Sequence, residues 1–424
     1  MENRRVYFVI DARSFYASVE CVARGLDPMK AKLVVADASR TDKTICLAVS
    51  PALKALGVRN RCRLFEVPKD IDFIIAKPRM KHYVEMAANI YRIYLRHLSK
   101  EDMHVYSIDE IILDVTDYLK LYKIKARDFA LQLMKEVKDE LGIPMTCGIG
   151  TNMYLAKVAS GITAKHSPEG IGWLTEEKFI KTLHKHTPLT DFWQISRGIS
   201  SHLARLGIYD MEGITKADED LLYKEFGVNA ELLIDHAYGG EPVRMKDIKA
   251  YKGRSHSLGS GQILPNGYYH DDAKLVLKEM VDSLCLDLAK KGLVSNLLVV
   301  DIAYDDNIHD HVHFSVRLAS LTNLSSIYMK EAARAFDEKT DWTRKVRRIN
   351  VAFADICSED YEQYDLFADV EEVNKDKSLR DALLLIEEKY GKNAVLRGMD
   401  YKKNATRRER NTMVGGHAGG DDDA

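Results

Sequence analysis

Apolar positions along this chain follow two periods, and the switches between them outline the elements. Residues 5–10 are a short apolar run rich in β-branched and aromatic side chains, which predicts a buried strand ending at Asp11. Ser14 to Cys21 follows with helical spacing. Leu33 to Ala36 and Ile45 to Ser50 predict two further short strands. Between them and the next long element, Pro51 is placed to start a helix and Gly57 to end it. Lys81 to Leu98 carries apolar residues at helical spacing. Next come two apolar strands around a Ser107-Ile108-Asp109-Glu110 centre, a hairpin with acidic residues at its tip. A helix over Ile124 to Leu141, stopped by Gly142 and Pro144, precedes a strand at Met145 to Ile149 and a helix from Met153 to Lys165. Strands alternating with helices in this way predict a mixed sheet covered by helices.

Residues 175–240 lose the strand pattern and read as short helices, with a helix–hairpin–helix join between Asp191 and Ile208. The breakers Gly239-Gly240-Glu241-Pro242 close that unit, and residues 244–254 form a basic, polar connector. The next hundred residues predict the order β-α-β-β-α-β, with strands near 254–263, 296–304, 312–319 and 346–354 and helices at 271–291 and 325–338. The remainder is polar, with one helix-like run at Leu379 to Tyr390, and residues 415–424 have the composition of a flexible tail. The fold class is α+β and multidomain.

Composition narrows the function classes. At 424 residues the chain has room for about three domains. Its 46% hydrophobic and 30% charged residues exclude wholesale disorder. The net charge of −2 means that any polyanion must be held by local patches. Six cysteines without C-x-x-C spacing suggest neither a disulfide scaffold nor a zinc ribbon. No apolar run reaches the roughly 18 residues needed to span a bilayer, and the first apolar run is too short for a signal peptide, so a cytoplasmic, membrane-independent protein is expected.

Two constellations carry chemistry. Asp11 ends one buried strand, and Asp109 and Glu110 sit between two others. If those strands are neighbours, three carboxylates gather at one sheet edge, where they cannot all stay ionised without a cation. Mg²⁺ suits such oxygen donors, and a pair of ions could clamp both oxygens of an in-line phosphoryl displacement. Acidic hairpins are common, however, and from spacing alone acids that only cap strands and turns are the better reading. The second constellation is Gly148-Ile149-Gly150 followed by Lys157 and Lys165, eight residues apart and so near one face of a helix. A lysine there could meet a triphosphate as a point charge, or Lys157 could simply be solvated.

Three segments together resemble the Y-family (translesion) DNA polymerases and, within them, the UmuC-like bacterial branch: Val9 to Glu20, Tyr106 to Val115, and Gly148 to Gly170. The resemblance implies a right-hand polymerase with a mixed-sheet palm at 1–17 and 76–175 and small fingers at 18–75. It adds a helical thumb at 176–243, a split βαβ little finger at 244–356, and a C-terminal tail at 357–424. It places metal-binding carboxylates at Asp11, Asp109 and Glu110, a backbone carbonyl ligand at Ala12, and two Mg²⁺ ions among them. It places a sugar-reading aromatic at Tyr16, with Phe15 its competitor, and triphosphate-binding cations at Lys165 and Lys54. Ile45 and Leu47 are expected as the roof over the nascent base pair. The sequence departs from the family pattern at Pro51 (often Tyr), at Lys54 (often Arg) and at Gln194-Ile195-Ser196, where Gly-Ile-Gly is usual.

Gln363-Tyr364-Asp365-Leu366-Phe367 resembles the peptide that binds the bacterial sliding clamp. Leu366 and Phe367 would fill an apolar pocket while Gln363 bonds its rim. A chance pentapeptide is the bland alternative. His309, His311 and His313 alternate as a metal site might, but a solvated hairpin face explains them. Arg407-Arg408-Glu409-Arg410 is expected as a solvated charged tail. The reading that follows is an error-prone, template-directed DNA polymerase of translesion synthesis and the SOS response. Its partners would be primer-template DNA, dNTP, the sliding clamp and a recombinase filament, and it would work as a monomer. The alternatives are a non-catalytic clamp-tethered DNA-binding scaffold and a nucleotidyl cyclase.

Overall fold

The computed structural model describes residues 5–253, 256–306, 309–360 and 370–420. They fall into two units, one running to Tyr251 and the other starting at Lys252.

The first unit holds eight strands: β1 (Tyr7–Ala12), β2 (Leu33–Val35), β3 (Ala48–Val49), β4 (Ile74–Ala76), β5 (Met103–Val105), β6 (Glu110–Asp114), β7 (Met145–Gly150) and β8 (Ile171–Leu174). Five make a mixed sheet in the order β5-β6-β1-β7-β8, parallel only between β7 and β8. β1 is central, which is why Tyr7 to Ile10 are all buried: a strand covered on both faces reads as a continuous apolar run. The helix Ala126–Leu141 packs on it, with Phe129 6.1 Å from Phe8, and Gly142 ends that helix in the left-handed region at φ 71°.

The helix Met153–Val158 lies unusually close to the strands. A Cβ on Gly148 would sit 2.1 Å from the Ala156 carbonyl oxygen, so only glycine permits this approach. The α-helix expected to run on to Lys165 instead passes through a π-helical turn at Ala159–Thr163 and a 3₁₀ turn at Ala164–His166. Gly172 of β8 presses against that turn, where a Cβ would fall 2.0 Å from Thr163 Oγ1. Such turns take up an irregularity without ending a helix, and here Lys157 and Lys165 no longer share the face of one α-helix.

β3-β2-β4 forms a second, small sheet, and Pro51 opens the helix Pro51–Ala55. The strand expected over Ile45 to Ser50 shrinks to Ala48–Val49, with Ile45 making a single bridge to Arg63. Five helices between Glu176 and Ala237 surround a core that includes Phe179, Phe192, Leu203, Met211 and Leu222. In their hairpin Gln194 adopts φ 71°, the conformation a glycine would supply, and Ser196 caps the next helix by accepting from Ile199 N. The stretch expected as a connector contains the helix Met245–Ala250. Met245 is buried with Tyr7, Val9, Ile112 and Met153, which fastens this helix to the first unit.

The second unit is built on β9 (Ser257–Tyr268), β10 (Leu293–Tyr304), β11 (His311–Thr322) and β12 (Val346–Ala354), joined antiparallel in the order β11-β10-β12-β9, with β13 (Cys357–Ser358) added to β10. The helices His270–Lys290 and Ser325–Lys339 cover one face, and the β-α-β-β-α-β order is as expected. His311 and His313 are exposed, with His311 Nδ1 3.2 Å from Asp301 Oδ2.

The C-terminal segment differs from a solvated tail. After the helix Val370–Tyr390, Arg407 is buried against Asp282 of the long helix, and Arg397 Nε donates to the same carboxylate at 3.0 Å. Thr406 donates from its backbone N at 3.0 Å and from its hydroxyl at 2.9 Å to Glu279, which has no exposed surface. Gly415 and Gly416 are a tight turn between β14 (Met413–Val414) and β15 (His417–Ala418), both with positive φ, rather than linker. The peptide Gln363 to Phe367 lies outside the described residues.

Candidate active site

The site grows from the pairing of β1 with β6. Asp11 stands directly opposite Glu110 in that antiparallel ladder, so both carboxylates rise from the same sheet face. Asp109 closes the hairpin one residue earlier. Its carbonyl accepts from Ala12 N at 2.9 Å, and its carboxylate accepts from Ser107 Oγ at 2.7 Å. The three acids that the sequence placed at strand ends therefore share one sheet edge.

Their charge is felt. Burial, then the facing carboxylates of Asp109 and Glu110, push Asp11 up to about 7, against the pull of Lys165 and Lys157. A carboxyl raised first by burial and then by its neighbours is one where ionisation is costly, a condition a hard divalent cation relieves. Among the described residues no group of three or more His, Cys, Asp or Glu side chains is arranged to hold a metal ion. Glu110 is instead turned to Lys157, whose ammonium meets both carboxylate oxygens and lies 4.5 Å from the centre of the Tyr106 ring. Tyr106 in turn accepts from Trp193 Nε1 at 3.0 Å. Carboxylate oxygens are the donors a hard divalent cation takes, and Glu110 would have to leave Lys157 to reach one.

The cations expected to meet phosphate are drawn to the same edge. Lys54 Nζ donates to Ser14 Oγ at 2.8 Å, and Ser14 itself takes a left-handed conformation where the chain turns from β1 into the helix Phe15–Ala23. Desolvation and the neighbouring Lys165 pull the Lys54 ammonium below its ordinary value, while Asp11 pulls it the other way. Lys54, Lys165 and Asp11 thus sense one another across three separate segments.

Phe15 and Tyr16 separate as neighbours on a helix must. Phe15 is 3% exposed and turned into the core, whereas Tyr16 is half-buried. Burial and then the Asp109 carboxylate push the Tyr16 phenol up, and Arg61 pulls it down, so the Tyr16 side chain lies within the field of the acid cluster. Ile45 is exposed and Leu47 half-buried on the small sheet's loop. Two side chains at the site are not legible as such in the sequence. Arg61 carries no signal there; Lys157 offers only a helical spacing that a solvated lysine shares.

With this geometry in hand, comparison with known proteins is decisive. Residues 10–161 match the impB/mucB/samB family, and residues 255–366 match the C-terminal domain of the same family, together more than half of the chain. The chain belongs to the impB/mucB/samB family. A protein of Bacillus subtilis (strain 168) bearing the name UV-damage repair protein UvrX is 29% identical over 425 residues, covering 98% of each chain. A DNA polymerase IV 2 of the same organism is 29% identical over 424 residues, covering 98% of this chain and 100% of its own. Among solved structures, a Y-family DNA polymerase chimera superposes with a TM-score of 0.64 at 21% identity, covering 83% of this chain and 99% of the other. This impB/mucB/samB chain therefore has the Y-family polymerase fold, with Asp11 and Glu110 on its five-stranded sheet and Asp109 in the turn before β6.

Proposed function

We propose that the protein is a template-directed DNA polymerase that adds deoxynucleotides to a primer 3′-OH and copies damaged templates with low fidelity. The observation that carries this reading is the gathering of Asp11, Asp109 and Glu110 on one sheet edge beside Lys165, Lys54 and Tyr16. Residues 1–17 and 76–175 serve as palm, 18–75 as fingers, 176–243 as thumb and, once the helix Met245–Ala250 that packs on the first unit is set apart, 252–356 as little finger.

Asp11, Asp109, Glu110 and the Ala12 carbonyl would hold two Mg²⁺ ions. When bound, such ions neutralise triphosphate charge and favour an ionised primer hydroxyl. Lys165 and Lys54 bind the triphosphate as point charges, each without the bidentate fork an arginine would offer. Tyr16 fills the volume that a ribose 2′-OH would need, so ribonucleotides are rejected by a clash. Ile45 and Leu47 cover the nascent pair from fingers too small to enclose it, which leaves selection between matched, mismatched and lesion-bearing pairs to a loose pocket. Gln363, Leu366 and Phe367 tether the enzyme to the sliding clamp, and a recombinase filament acts as an accessory.

Primer extension on a defined template with four dNTPs and Mg²⁺ tests the reading. The native protein extends the primer, and Asp109→Ala lowers extension by orders of magnitude while DNA binding, which rests on phosphate contacts elsewhere, survives. A native protein that binds primer-template but never extends it would leave the scaffold reading in its place.

A further inference from the structure

The half-buried Tyr16 ring is backed by a fixed support. Tyr83, on the helix Met80–Tyr94, has no exposed surface, and its ring stacks on Tyr16 with centroids 4.6 Å apart and planes at 21°. The Tyr83 hydroxyl donates to Glu20 Oε1 at 2.7 Å. Glu20 lies four residues after Tyr16, one turn along the same helix, and is itself completely buried.

Burying a carboxylate costs several kcal/mol unless it is paired and its lone pairs are bonded. Here both oxygens are taken. Arg79 engages them as a fork, Nε to Oε1 and Nη2 to Oε2, each at 3.0 Å, and Arg24 adds a further close bond to Oε2. Burial alone would raise the Glu20 pKa. The hydrogen bonds from Arg79, Arg24 and Tyr83 reverse this, and the carboxyl is held below its ordinary value. An apolar pair would clip two helices together at less expense. What the carboxylate adds is direction: it fixes the Tyr83 hydroxyl, hence the plane and depth of the ring behind Tyr16.

A side chain that excludes by volume works only if it cannot retreat. Tyr16 is half-buried and stacked on Tyr83, so its resistance to a 2′-OH depends on that support. We propose that Glu20, clamped by Arg79, is a positioning residue for sugar selection, acting through the Tyr83 hydroxyl and the Tyr83–Tyr16 stack. The proposal rests on reading Tyr16 as the element that excludes ribose.

The test is single-nucleotide incorporation with matched dNTP and rNTP, comparing kcat/KM ratios for the full chain and its variants. Tyr83→Phe keeps the stack and removes one buried hydrogen bond, so the preference for deoxyribose should fall by about tenfold. Glu20→Gln should fall at least as far, through a gain in rNTP incorporation. Equal losses for both nucleotides would mean that the pair only holds the helices together, and would overturn the proposal. Tyr16→Ala separates the two ideas. If Tyr16→Ala admits rNTPs while Tyr83→Phe and Glu20→Gln discriminate like the native protein, the sugar-excluding ring stands and the support does not. If Tyr16→Ala discriminates like the native protein, the reading of Tyr16 itself is wrong. Because Glu20→Gln could weaken folding, Tyr83→Phe, with its smaller change, is the deciding variant.

Discussion

Arg407→Met asks whether the C-terminal segment is a structural part of the second unit. Arg407 is 4% exposed, and its guanidinium meets Asp282, Asp400 at 3.6 Å and Glu387 at 3.8 Å. The side chains of Asp282 and Asp400 are 3% and 0% exposed. Methionine keeps most of the apolar stem but withdraws the charge, so two buried acids lose a cation. Breaking a buried pair from one side costs about 3–5 kcal/mol. Asp282 still keeps Arg397, and Asp400 still accepts from Arg397 N at 2.8 Å, which argues for the lower end, about 3 kcal/mol. For a unit of this size, that lowers the melting temperature by about 6–12 °C. Calorimetry of the full chain reads it in the transition that belongs to the second unit. Arg407→Met combined with Asp400→Asn should recover part of the loss, because the second change removes the buried charge left without a cation. A shift under about 2 °C for Arg407→Met would refute the docked segment and restore the solvated tail.

The same network predicts an acid response. Burial would raise the pKa of Asp282, but the hydrogen bond from Arg397 and the charges of Arg407 and Arg397 hold it below the ordinary aspartate value. Its stabilisation is then complete above about pH 4 and lost as the pH falls through the lower folded value, so Asp282→Asn should flatten the fall in melting temperature below about pH 4. A fall that is equally steep in the variant would count against it. Lys165→Ala should raise the apparent nucleotide KM far more than the Kd for DNA in steady-state extension, and the reverse pattern would put Lys165 on a DNA backbone instead. Leu366→Ala with Phe367→Ala should abolish stimulation by the sliding clamp and leave clamp-free extension intact, whereas native clamp affinity in that variant would dismiss the peptide.

The elements that periodicity describes were legible, because a strand or helix is decided by side chains a few positions apart. The apolar run before Asp11, the acidic hairpin tip at Asp109-Glu110 and the β-α-β-β-α-β order of the second unit all appear where the alternation of residues puts them. The three carboxylates were candidates from sequence because Asp11 ends one apolar run and Asp109 and Glu110 lie between two others. That they face one another depends on β1 pairing with β6 in a register that sets Asp11 against Glu110, and strand order is not written in either strand.

Charges were where sequence alone ran out. A lysine, a glutamate or an arginine in isolation reads as solvated, and its partner can be anywhere in the chain. Lys157 finds Glu110 across 47 residues, Arg79 finds Glu20 across 59, and Arg407 finds Asp282 across 125. Arg407 and Asp282 are both buried, and in each of the other pairs at least one partner is largely withdrawn from water, so screening is weakened and an unpaired ion would be costly. Local pattern determined which residues could form elements and supply chemistry. Only the tertiary structure decided which of those charges are buried, which partner each one has, and therefore which hold the fold and which are left facing the carboxylate edge.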